Sequence, residues 1–102
     1  MDKQKLLNAI GMAYGSTNVI YGAKLLDFIK ANKVSFVIIG SNMGPSQKKK
    51  LIDKCKSHEI EYHDDILTIE EIAQACGRTT IVAVGFNNFN FIKLIKSNLD
   101  QW

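Results

Sequence analysis

Residues 34–52 read VSFVIIGSNMGPSQKKKLI, and their first seven decide the fold class. Val34 to Gly40 is a β-branched and aromatic run without strict alternation, the pattern of a strand buried on both faces. A strand covered on both sides needs helices above and below it. The flanking segments supply them. Before the run, Leu25, Leu26 and Ile29 recur at helical spacing between Gly22 and about Asn32, with Phe28 beside them and Lys24, Asp27 and Lys30 facing outward. After it, residues 45–57 form a helix that admits Pro45 in its first turn and turns Leu51, Ile52 and Cys55 inward.

Working outward, Leu6, Leu7, Ile10 and Ala13 predict a helix over 2–13, capped by Asp2 and ending near Gly15. Residues 18–21 allow a short strand, and Ile60 with Tyr62 another. Thr68 and Glu71 have the spacing of a capping box ahead of Ile69, Ile72, Ala73 and Cys76, with Gly77 placed to stop that helix. Thr79 to Val84 is a second β-branched strand, and Gly85 to Asn88 turns it into a last helix with Phe89, Ile92, Ile95 and Leu99 on one side. Alternating strands and helices predict an α/β fold with a mostly parallel sheet.

At 102 residues the chain is long enough for one hydrophobic core, and a single domain over 1–102 is expected. Its 46% hydrophobic and 23% charged residues are globular proportions, and one proline with seven glycines leaves little room for low-complexity linker. No apolar stretch approaches the roughly 20 residues of a membrane span, and the charged N-terminus lacks a secretory core, so a cytoplasmic protein is expected; separately, a monomer without a membrane partner is expected. Cys55 and Cys76 fall on apolar helix faces without a C-x-x-C pair, as buried reduced thiols do.

The formal net charge is only +3, so its placement matters more than its sum. Lys48, Lys49, Lys50, Lys54 and Lys56 crowd one segment; Glu59, Glu61, Asp64, Asp65, Glu70 and Glu71 follow it. The lysines open a helix just beyond the carboxyl end of the 34–40 strand, where open α/β sheets present ligands. The intervening turn is no phosphate cradle: Pro45 removes an amide donor, no Gly-Lys-Ser/Thr follows, and the chain has no G-x-G-x-x-G. Lys49 and Lys50 splay into solvent, whereas Lys48 shares the inward side of Leu51 and must lay its stem over apolar neighbours. The bland reading of the run is a solvated face; the sharper one is a basic patch for a polyanion.

Several strings taken together resemble the ribosomal L7Ae/L30e family, and within it the small bacterial YlxQ-like members. They are the small-residue turns at Gly15 and Gly22, IKANKVSFVIIG at 29–40, KKKLIDKC at 48–55, IEY at 60–62 and IEEIAQACGRTTIVAV at 69–84. The likeness runs from about Leu7 to Ile95. It implies an L30e-like three-layer α/β/α sandwich with a four-stranded mixed sheet and about five helices. It also implies a non-catalytic RNA-binding protein of translation or RNA metabolism that contacts structured RNA, ribosomal or kink-turn-like. By that likeness the RNA-binding residues are Ser16, Thr17, Asn18, Gly22 and Lys24 at the second helix, with Lys33, and Arg78, Thr79 and Thr80 after the fourth. Lys48, Lys49 and Lys50 form a second basic patch. Kink-turn binders of the family carry Asn-Glu after the glycine and a lysine one turn later; here those positions hold Ala23, Lys24 and Asp27, and a carboxylate facing phosphate repels it.

Other chemistries find less support in the residues. Phe28, Phe36, Phe89 and Phe91 fall on or near core stripes, leaving Tyr14, Tyr21 and Trp102 as exposed rings, too few for a stacking platform. His58, His63, Asp64 and Asp65 match no standard metal spacing, and neither histidine has a nucleophile with an orienting partner, so no metal, cofactor or catalytic residue is assigned. Two alternatives remain: a protein-interaction module that has lost RNA binding, and a small-anion-binding α/β domain with a pocket near Asn42, Ser46 and Lys48.

Overall fold

A computed structural model describes residues 3–99. The elements run α1 (Lys3–Gly15), β1 (Val19–Tyr21), α2 (Ala23–Lys30), β2 (Phe36–Ile39), α3 (Pro45–Ser57), β3 (Glu61–His63), α4 (Ile69–Ala75), β4 (Ala83–Phe86) and α5 (Phe89–Leu99). The four strands make one sheet in the order β1-β4-β2-β3. Helices α1, α4 and α5 cover one face and α2 and α3 the other, giving the expected α/β/α sandwich. Asp2 and Trp102 lie outside the described residues.

The double burial of β2 follows from its alternation. Phe36 and Ile38 enter the core beneath α1, α4 and α5, while Val37 and Ile39 enter the core beneath α2 and α3. All four are fully buried, each worth about 1.5–3 kcal/mol relative to exposure, so neither face of this strand tolerates a polar residue. β4 divides in the same way, with Val84 and Phe86 on one side and Ala83 and Gly85 on the other. Gly85 is read from sequence as a turn residue, yet it sits inside β4. A methyl group there would come within 2.6 Å of the Leu25 side chain and 3.0 Å of Val34, so its smallness lets α2 settle on the sheet.

The sheet is mixed, as the family likeness implies, and not mostly parallel, as alternation alone predicts. β2 and β3 pair in parallel, but β4 is antiparallel to both β1 and β2. The cause is the length and ending of α4. Seven residues rise about 10 Å, and Gly77 then turns the chain back while the Arg78 amide donates to the Ala73 carbonyl at 2.9 Å. The chain therefore re-enters the sheet at the end it left.

Two further expectations need correction. β4 begins at Ala83, not Thr79: Thr79 and Thr80 are exposed, and Ile81 is buried from a loop. Phe89 is 74% exposed, because it is the first residue of α5 and lies ahead of the turn where that helix meets the core through Ile95 and Leu99. The capping box forms as predicted, the Glu71 amide donating to Thr68 Oγ1 at 3.2 Å and the Thr68 amide to Glu71 Oε1 at 2.9 Å. Cys55 and Cys76 are free, buried thiols whose pKa is pushed up to about 11 by burial.

Candidate nucleic-acid interface

Strand directions sort the candidate residues into two groups. The carboxyl ends of β1, β2 and β3 and the amino end of β4 share one end of the sheet, by the register of the three ladders. Gly22 and Lys24 open α2 there, Lys48, Lys49 and Lys50 lie in the first turns of α3, and Arg78, Thr79 and Thr80 lead into β4. Ser16, Thr17 and Asn18 precede β1 and so lie at the opposite end, where the Asn88 amide reaches Asn18 Oδ1 at 3.5 Å. Lys33 also lies at that far end, just before Ser35, whose amide donates to the Phe86 carbonyl at 2.9 Å. Thus the fold gathers eight of the twelve candidates and sets four apart.

At the gathered end, the helix starts are shaped by backbone, not by side-chain caps. Gly22 precedes α2 with φ 71° and ψ −150°, a conformation essentially confined to glycine, and no side chain caps the helix. The first amides of α2 therefore lack side-chain acceptors, at the positive end of its dipole. Gly44 precedes α3 without a side-chain cap too, and Pro45 fills its first turn.

Arg78 is held by aromatic contacts. Its guanidinium lies 5.6 Å from the centroid of the Tyr21 ring, and the Tyr21 hydroxyl lies 3.4 Å from that of Tyr14. The Tyr21 hydroxyl raises the pKa of Tyr14 above its ordinary value, with Arg78 opposing the shift. Both tyrosines are half-buried and packed against one another, not free rings for stacking. Tyr21 as the support of Arg78 was not legible in the sequence, because the two meet only when β1 and β4 pair.

Lys48 behaves as its helical position demands. Its side chain is 24% exposed, its Nζ donates to the Ser41 carbonyl at 3.1 Å, and Asp64 lies 3.7 Å away. Its charge is thus largely answered inside the protein. Lys24, Lys49, Lys50 and Arg78 form no ion pair among the described residues. The acids gather on the other flank: Asp64 and Asp65 follow β3, and Glu70 accepts from the Asn42 amide at 3.0 Å. At this end of the sheet the basic groups therefore stand at the starts of α2 and α3 and ahead of β4, and the acids after β3 and at the start of α4.

A cleft of about 420 Å³ joins the two basic segments, its walls including Gly22, Leu26, Met43, Gln47, Lys50 and Val82. Mostly apolar inside, it carries Lys50 and Gln47 at the α3 wall. Asn42, Ser46 and Lys48 do not line it. Asn42 is instead committed to α4, its Oδ1 accepting from the Ile69 amide at 2.9 Å. Among the described residues no three His, Cys, Asp or Glu side chains converge as metal ligands. His58 pairs with Asn32 and His63 with Glu61.

The ribosomal protein L7Ae/L30e/S12e/Gadd45 family pattern matches residues 4–94. A solved structure described as a protein of unknown function from Bacillus halodurans C superposes with a TM-score of 0.86 at 26% identity, covering 94% of this chain and 97% of that one. A Giardia lamblia 15.5kD RNA binding protein superposes with a TM-score of 0.77 at 16% identity, covering 96% and 84%. No curated protein matches by sequence. With nearly its full length matched by the family pattern, this chain belongs to the ribosomal protein L7Ae/L30e/S12e/Gadd45 family.

Proposed function

We propose that the protein binds structured RNA, without catalysis, through the basic end of its sheet. The observation that carries this is that Lys24, Lys49, Lys50 and Arg78, none ion-paired among the described residues, lie at one end of the sheet, where Gly22 and Lys50 line one cleft. Family membership and the fold shared with an RNA-binding protein of Giardia support the reading. Cations and helix amides meet phosphates; the hydroxyls of Thr79 and Thr80 reach sugar or phosphate oxygens. The apolar cleft beside Lys50 suits a base turned out of its stack, which fits a folded RNA with unpaired bases better than a plain duplex. Asp27, exposed one turn after Ala23, repels phosphate on its side of α2 and directs the RNA toward β4 and α3.

Charge reversal tests the face. With about four phosphates neutralised, the log-log slope of affinity against salt is about −3 to −4. Lys24→Glu and Arg78→Glu should each weaken binding and make that slope shallower by about 1. Unchanged affinity in both variants would remove this face from the proposal. A cytoplasmic role in translation or RNA metabolism is the setting we propose, with family membership in its favour.

A further inference from the structure

We infer that the outer edge of β1 is a docking groove for an extended acidic peptide segment of a partner protein. β1 is laddered to β4 on one side only, and its other edge pairs with nothing among the described residues. Beside that edge runs a groove of about 440 Å³ lined by Val19, Ile20, Tyr21, Ala23, Lys24 and Phe28. Its floor is an unpaired strand edge and its wall is the half-buried Phe28 ring, so it offers backbone hydrogen bonds together with an apolar contact. Those are the two components of strand addition.

Charge selects the occupant. Lys24 stands at one end of the groove, and the Lys33 ammonium lies 5.8 Å from the Phe28 ring centroid toward the other. No carboxylate lines the groove; Asp27, the acid of the same helix, is exposed on α2 and is not one of its walls. The two lysines stand at opposite ends of α2, whose eight residues rise about 12 Å, with Lys33 just past the turn where its amide donates to the Phe28 carbonyl at 2.9 Å. In an extended chain, residues i and i+4 are about 13 Å apart and share a face with residue i+2. The matching segment is therefore acid-x-apolar-x-acid, the apolar side chain on Phe28 and a carboxylate on each lysine. A nucleic acid fits less well, because Tyr21 already packs against Tyr14 and Arg78, leaving Phe28 as the one ring among the groove's lining residues for a base to meet.

The inference stands apart from the RNA reading, although Lys24 borders both surfaces. Its test uses the full chain and a fluorescein-labelled nonapeptide containing Glu-x-Leu-x-Glu, followed by anisotropy and by amide exchange of Val19 to Tyr21. Binding should slow exchange in β1. N-methylation of the peptide amides that face β1 should abolish binding, and methylation one residue along should spare it. Lys33→Glu should weaken the acidic peptide about five- to tenfold and favour a Lys-x-Leu-x-Lys peptide, with Lys33→Gln between them. No binding, equal binding of acidic and basic peptides, or protection of β1 by a single-stranded oligonucleotide in place of the peptide would overturn the inference. Each of those results leaves the Arg78→Glu test of RNA binding to stand by itself, since Arg78 does not line the groove.

Discussion

Gly22 and Gly44 precede helices at the same end of the sheet, both without a side-chain cap and both with open space where a methyl group would point. They differ in backbone angle. Gly22 has φ 71° and ψ −150°, whereas Gly44 has φ −53° and ψ 135°, which any L-residue adopts. Alanine at 22 therefore meets no steric obstacle beyond its own backbone, and its cost is the strain of that region, about 1–3 kcal/mol. At about 4–8 °C per kcal/mol for a domain near this size, Gly22→Ala lowers Tm by roughly 4–24 °C. Gly44→Ala changes stability by only about 0.5 kcal/mol, the ordinary difference at a helix start. Urea unfolding of the two variants, read by far-UV circular dichroism, makes the comparison. If Gly22→Ala were as stable as Gly44→Ala, the left-handed start of α2, and the exposed amides it sets, would be wrong.

Other expectations follow from the same contacts. Thr68→Ala removes the acceptor for the Glu71 amide and should cost about 1 kcal/mol in urea unfolding; no loss would mean that α4 is not held by its cap. The pKa of Glu71 is lowered, first by Lys3 at 2.8 Å and then by the Thr68 amide, so its stabilisation is present above the unfolded carboxyl pKa and is lost as pH falls through the lower folded value. Lys3→Met should flatten this acid dependence between pH 5 and 3, on the order of its carboxyl range; an unaltered profile would contradict the pairing. Cys55 and Cys76, with pKa raised to about 11, should resist thiol reagents until the chain unfolds. Rapid labelling of the native protein would show that the thiols are not enclosed.

The sequence told most about elements whose burial is encoded locally. The run around Phe36 to Ile39, the Thr68–Glu71 box and the α3 stripe needed no long-range partner to be seen. The sequence places β4 too early because Thr79 to Val82 is as β-branched as the strand itself; what separates them is Gly77 turning the chain back, and a Gly85 that Leu25 and Val34 explain. Sheet direction was equally hidden, since a doubly buried strand looks alike in parallel and antiparallel company. At the candidate site, local charge identified Lys48, Lys49 and Lys50, whereas Lys24 and Arg78 came from the family likeness. Their meeting, and the separation of Ser16, Thr17, Asn18 and Lys33 from them, depends on which strand end each residue follows.

The most direct measurement is crosslinking of the protein to RNA in cells that express it, with sequencing of the RNA and mass-spectrometric mapping of the crosslinked residues. A folded RNA should be recovered joined to the segments around Gly22 to Lys24, Gln47 to Lys50 and Arg78 to Thr80. Recovery of no RNA, or crosslinks confined to Ser16 to Asn18 and Lys33 at the far end of the sheet, would contradict it.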